Sequence, residues 1–239
     1  MAVNPGGKSL PEHIRAILRI VNSELVPQMS RFFLFEFELL TNHVDSTERH
    51  LREQQAQFDE EFSANSAALD PEAQAEYADF MIDETEFYRA LPRLQWYSQF
   101  GLAYSAFEFS LLKVGEIANR RLRPGETQSR RRSPGVADVV ADLGRLGIHA
   151  PFSGLLWDDA VLLKHLRNKI IHEQGTFAVE SSQLAALRSR AFPGFDCSPA
   201  EDGRVQVEIS AEFVRAALDI FQRILNDLVK FRVPELAVD

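Results

Sequence analysis

The chain has 239 residues, 45% apolar and 26% charged, with a formal charge of -9 and a single cysteine, Cys197. This composition excludes wholesale disorder, an intramolecular disulfide, a cysteine-rich zinc site and a bulk nucleic-acid coat. The 18 phenylalanines have no polar handle and are expected in the core.

Charge is segregated along the chain. From Glu36 to Glu86 there are 15 acidic residues and two basic ones, Arg49 and Arg52, whereas Asn119 to Gly135 holds six arginines and one acid, Glu126. The N-terminus lacks the pattern of a secretory signal, and no stretch approaches the roughly 20 apolar residues of a membrane span. The expectation is a soluble, cytoplasmic protein without a membrane partner.

The elements read in chain order are overwhelmingly helical. Ile14, Ile17, Leu18, Val21 and Leu25 recur at helical spacing. Pro27 is expected to break or kink the chain before Phe33, Phe37, Leu40 and Val44 resume the repeat. Beyond Val44 the apolar residues thin to Leu51, Phe58 and Phe62, which predicts a long solvated helix or an extension. Asp70-Pro71-Glu72 is a helix start, with Asp as N-cap and Pro in the first turn. That helix carries Tyr77, Phe80, Met81, Glu84, Phe87 and Tyr88, and Pro92 is expected to interrupt or kink it. The most apolar helix follows, with Leu94, Tyr97, Gly101, Tyr104, Phe107, Leu111, Val114 and Ile117, and with Phe100 and Phe109 widening the apolar face.

Residues 120–135, with two Pro-Gly pairs, read as a loop. Ser133-Pro134 opens a short helix through Val136, Val139, Val140, Leu143 and Leu146. Another helix runs from about Leu155 to Gln174 and stops at Gly175. Residues 176–209 are richer in glycine and proline. A turn at Asp202-Gly203 precedes the alternating Val205, Val207 and Ile209, a strand signal and half of a small hairpin. Ser210 caps a last helix through Phe213, Ala217, Ile220, Ile224 and Leu228. The expected fold is all-α: a helical bundle of six to seven helices with a small β-hairpin insertion before the last helix. Its N-terminal helices and acidic extension span 1–93 and its bundle 94–239, read together as one continuous globular unit.

Most catalytic signatures are missing: no GxGxxG, no phosphate-binding GxxxxGK[ST] loop, no HExxH and no GxSxG. Neither a cofactor nor a metal is expected. The exception is residues 157–175, WDDAVLLKHLRNKIIHEQG. One helix there carries Lys164, His165, Arg167, Asn168, Lys169 and His172. Lys164, Asn168 and His172 lie nearly in line, while Arg167 and His172 are about 140° apart. A straight helix does not aim those two at one atom; either the long Arg side chain wraps around, or a two-fold-related copy supplies the complement. With Gly175 ending the helix, His172 falls in its last turn. A histidine to move protons and an arginine to hold phosphate charge suit transfer at a phosphodiester, with Asn168 as an orienting group.

The segment LRNKIIHEQG resembles the signature of the HEPN superfamily (higher eukaryotes and prokaryotes nucleotide-binding domains): Arg, a polar residue, a few further residues, then His, on a late helix of an all-α bundle. The matching residues are Arg167, Asn168 and His172. Trp157 upstream, the aliphatics Leu163, Leu166, Ile170 and Ile171, the glycine after the histidine, and the aromatic helix YSQFGLAYSAFEFSLLKVGE agree, over about residues 94–232. The resemblance implies a homodimer with motif helices facing each other. It further implies a metal-independent endoribonuclease of toxin or antiviral-defence type, with RNA as substrate and an antitoxin or defence protein as partner. Its alternative is a non-catalytic module of the same fold that binds a partner protein or nucleotide. In the catalytic reading His172 is the general base on the ribose 2′-OH, Arg167 stabilises the phosphorane, and Asn168 positions substrate or histidine. Lys164, Arg120, Arg121, Arg123, Arg130, Arg131 and Arg132 are candidate phosphate contacts.

Overall fold

The structure is a computed structural model that describes residues 26–122, 136–145, 152–200 and 203–230. Seven helices are present among them: α1 (Val26–Ala67), α2 (Pro71–Phe80), α3 (Ile82–Leu122), α4 (Val136–Arg145), α5 (Leu155–Glu173), α6 (Ser182–Arg190) and α7 (Ala211–Lys230). Three short strands, β1 (Thr176–Ala178), β2 (Phe195–Pro199) and β3 (Arg204–Ile209), lie between α5 and α7. This is a helical bundle with a small antiparallel sheet inserted before the last helix, as the periodicity predicts. The helical repeat at Ile14–Leu25 and the Arg-rich segment after Leu122 lie outside the described residues.

Local chemistry explains most boundaries. The Asp70 carboxylate accepts from the backbone N–H of Glu72 at 3.1 Å and of Ala73 at 2.9 Å, satisfying two orphan donors of α2. The Ser210 hydroxyl satisfies one such donor of α7, accepting from Glu212 N–H at 3.2 Å. Pro27 stands in the first turn of α1, where its missing N–H costs nothing.

Two expectations need correction. Of the interruption or kink expected at Pro92, the interruption does not occur: α3 continues through it from Ile82 to Leu122. The ring deprives the Tyr88 carbonyl of its partner, and an interior proline costs about 3 kcal/mol. Burial of Trp96, Tyr97 and Phe100 just beyond it offsets that loss. The second correction is in 176–209, which holds a full helix, α6, as well as the strands. Ser181 caps it through Leu184 N–H, Leu184 and Leu187 are buried at i, i+3 spacing, and Ala191 ends it in a left-handed conformation.

The sheet order is β1-β3-β2, all antiparallel. Thr176 opposes Gln206 on one side of β3, while Phe195 opposes Ile209 and Cys197 opposes Val207 on the other. Val205, Val207 and Ile209 are buried and Glu208 is exposed, the period-2 pattern of a half-buried strand.

The chain divides into two compact units, each assembled from separate stretches. One comprises 37–104 and the described residues of 160–219. Its core gathers Phe37, Phe100, Leu163, Leu166, Phe177, Leu184 and Phe213. The Phe213 ring meets Phe100 edge-on at 5.3 Å and Phe192 at 5.8 Å. In the same unit Arg215 pairs with Asp45 at 2.7 Å and with Glu48, which raises its pKa, the Glu48 bond most. The acidic stretch also packs here: Phe58 stacks on Tyr88 at 4.4 Å and Phe62 on Tyr77 at 5.5 Å.

The other unit holds the described residues of 26–36, 105–159 and 220–230. Phe107 stacks on Phe221 at 4.5 Å, surrounded by Leu111, Leu143, Ile224 and Leu225. Gly115 lets α4 approach α3: a Cβ there would sit 2.7 Å from Val139 Cγ1. Not every aromatic ring is buried, against expectation. Phe35, Phe80, Phe87 and Phe109 are exposed, as is Leu94 at the start of the apolar run.

Candidate functional site

Helix α5 carries the candidate residues. Ala160, Leu163, Leu166 and Ile170 form its buried stripe at i, i+3 and i+4 spacing. Taking Leu163 as the centre of that stripe, Arg167 lies about 40° from it, Lys164 about 100°, Asn168 about 140° and His172 about 180°. The exposures follow: Arg167, Lys164 and Asn168 are half-buried, while His165 and His172 are exposed.

The guanidinium of Arg167 lies over the Tyr104 ring, 6.0 Å from its centroid, at the outer limit of a cation–π contact. Its Nη1 donates to Asn168 Oδ1 at 3.2 Å. Its Nε is buried and meets no acceptor among the described residues. An orphan donor of this kind costs about 1–3 kcal/mol, which an anionic oxygen would recover once the side chain turned the atom outward. Arg167 is therefore laid sideways along the helix toward Asn168, with donor capacity in reserve.

His172 occupies the last turn of α5. No hydrogen bond joins it to Arg167 or Asn168 within one chain. The structure brings Arg167 and Asn168 together and leaves His172 on the far side of the helix, with Lys164 on the Asn168–His172 line. Arg120 and Arg121 fall at the C-terminal end of α3, and Arg123, Arg130, Arg131 and Arg132 lie outside the described residues.

Sequence reasoning missed the clamp that holds the end of α5. Gln174 and Gly175 both take left-handed backbone, with φ of 52° and 76°, and Gly175 N–H reaches back to the Lys169 carbonyl at 3.0 Å. The Gly175 carbonyl accepts from Val207 N–H at 3.0 Å, tying the helix end to β3. A Cβ at Gly175 would lie 2.3 Å from Tyr97 Oη. That hydroxyl donates to the Val207 carbonyl and accepts from Gln206 Nε2 at 2.9 Å. Burial pushes the Tyr97 pKa above its ordinary 10.0, against the lowering effect of the Gln206 bond.

Charge completes the clamp. Glu173 sits at the helix C-terminus, where a negative charge is disfavoured by the carbonyl ends. Two cations compensate: Lys169 Nζ at 2.6 Å and an Arg204 Nη at 2.8 Å. The Lys169 bond, then the Arg204 bond, hold the Glu173 carboxyl below its usual pKa despite opposing desolvation. The i, i+4 spacing of Lys169 and Glu173 was a visible signal; Arg204, 31 residues further on, was not.

Among the described residues no group of three or more His, Cys, Asp or Glu side chains could hold a metal ion, and no helix is long and apolar enough to cross a membrane. No protein-family model, curated protein or solved structure matches this chain.

Proposed function

We propose that this chain is a HEPN-like, metal-independent endoribonuclease that acts as a homodimer, in a toxin or antiviral-defence setting in the cytoplasm. His172 removes the proton from a ribose 2′-OH. The 2′-oxygen attacks the adjacent phosphorus, and the 5′-oxygen leaves after protonation, giving a 2′,3′-cyclic phosphate and a 5′-hydroxyl. Arg167 places its planar charge on the phosphorane oxygens. Asn168 acts through Arg167, fixing the fork by the 3.2 Å bond. Lys164 and the arginines at 120, 121, 123, 130, 131 and 132 contact phosphates further along the strand.

What carries this reading is the Arg167–Asn168 pair beside an unanswered buried Nε donor, on the helix that ends with exposed His172. The angle of about 140° between Arg167 and His172 supports a composite site: a two-fold-related α5 can face the Arg167 of one copy with the His172 of the other. An antitoxin or defence protein is the partner that would hold such a nuclease in check.

The deciding experiment incubates mixed cellular RNA with purified protein in excess EDTA, with His172→Ala and Arg167→Ala alongside. Cleavage by wild type alone, leaving cyclic-phosphate ends, is the expected result. Equal cleavage by all three proteins would refute the assignment.

A further inference from the structure

The two helices that follow Asp70 run almost as one. Met81 at their junction leaves helical ψ, with φ of -88° and ψ of 5°, but keeps helical hydrogen bonding on both sides. Its N–H bonds to the Tyr77 carbonyl at 3.0 Å, and its own carbonyl accepts from Thr85 N–H at 2.9 Å. The rotational phase therefore carries from α2 into α3. On this common axis Phe80, Phe87 and Leu94 recur every seven residues and stay within about 40° of one another. They are 81%, 55% and 58% exposed, three large apolar side chains in a row, with the Phe87 ring edge-on to Tyr88 at 5.6 Å.

This seam is not the packed face. Tyr77 and Tyr88, whose rings stack on Phe62 and Phe58 of α1, are turned about 60–80° away from Phe80. The seam is instead flanked by Glu76, Asp83 and Glu84, all exposed and none in an ion pair among the described residues. The nearby cations do not serve it. Arg89 lies about 180° and Arg93 about 140° around the helix from Phe80, and Arg89 pairs with Glu86 at 2.9 Å.

We infer that this face of α2 and α3 docks an amphipathic helix of a partner protein, with apolar residues at heptad spacing and lysines or arginines beside them. Phe80, Phe87 and Leu94 supply one apolar core position in each heptad; Glu76 and Asp83 then fall at the flanking positions that choose a partner helix by charge, and Glu84 at the other core position. The carboxylates of Glu76, Asp83 and Glu84 complement a basic flank. A second copy of this chain presents the same carboxylates on the same face and no cation there, so self-pairing through the seam is disfavoured. This surface is independent of the nuclease reading, because it contains neither Arg167 nor His172.

The test measures binding of the full chain to a synthetic helical peptide of about three heptads, leucine at a and d and lysine at e and g, labelled for fluorescence anisotropy. A counterpart with glutamate at e and g is the control. The lysine peptide is expected to bind at least tenfold tighter than the control, less so as salt rises. Phe87→Ser and the double change Asp83→Lys/Glu84→Lys are each expected to weaken it roughly tenfold or more. Both variants alter exposed side chains, so unchanged circular dichroism establishes that the fold is kept. Equal binding of the two peptides, no binding of the lysine peptide, or binding indifferent to both variants would overturn the inference. So would a wild-type dimer that Phe87→Ser dissociates in light scattering, which would assign the seam to a second copy.

Discussion

Arg167 donates from Nη1 to Oδ1 of Asn168, its immediate neighbour in sequence, at 3.2 Å. Adjacent side chains on a helix diverge by about 100°, so this bond forms only because the long Arg side chain lies across the helix surface, with its guanidinium over the Tyr104 ring. The pair acts as one unit, with the amide holding the fork and the fork keeping a spare Nε donor.

That coupling separates the roles of the three motif residues. His172→Ala removes an exposed side chain and is expected to change stability by no more than about 0.5 kcal/mol. RNA cleavage is expected to fall about 100- to 10,000-fold. Arg167→Lys keeps the charge but loses the planar fork, so activity is expected to fall nearly as far as in Arg167→Ala. Gel-based cleavage kinetics beside thermal melting checks both. A His172→Ala protein that cleaves normally refutes the general-base role.

Gly175→Ala is expected to destabilise the protein by about 2 kcal/mol or more. Positive φ costs a non-glycine residue about 1–2 kcal/mol, and the new Cβ would collide with Tyr97 Oη. The collision breaks the bonds that Tyr97 makes with Val207 and Gln206. Urea unfolding of wild type and variant measures the loss.

Tyr97 makes the fold sensitive to alkali. Its folded-state pKa is raised above 10.0 by burial. The contribution of the neutral phenol is therefore complete below pH 10.0 and is lost as pH rises through the folded-state value. Tyr97→Phe leaves the Val207 carbonyl and Gln206 short of a partner and is expected to cost about 1–3 kcal/mol at neutral pH. The gap between wild type and variant narrows above pH 10.0. A stability difference that stays constant into that range would contradict the assignment.

Phe107→Ala is expected to cost about 3–5 kcal/mol, because the ring is fully buried and stacks on Phe221. Phe109→Ala, two residues on and exposed, is expected to cost far less. Chemical denaturation of the two variants side by side checks the contrast, which rests on which way one helix faces.

Features that depend on near neighbours were legible in the sequence. The Asp70 cap, the stop at Gly175, the Ser210 cap and the alternation of β3 are settled within a few residues of backbone, where one side chain or one permitted φ decides the outcome. The placement of Arg167, Asn168 and His172 on one helix, with Arg167 and His172 about 140° apart, follows from the 3.6-residue repeat alone. Other features required the chain to fold back on itself. Pro92 is carried inside α3 because the core beyond it outweighs one lost hydrogen bond, a balance the local sequence does not hold. The brevity of α6 hid it among glycines and prolines until Leu184 and Leu187 found a core. Phe80 and Phe107 are the same residue type on helical repeats, yet one is bare and the other sealed. Arg204 reaches Glu173 across 31 residues, and the sideways set of Arg167 depends on where Tyr104 stands. Capping and periodicity are local energies that the sequence states directly; burial and charge pairing are decided by residues far apart in the chain, and only the tertiary structure says which ones meet.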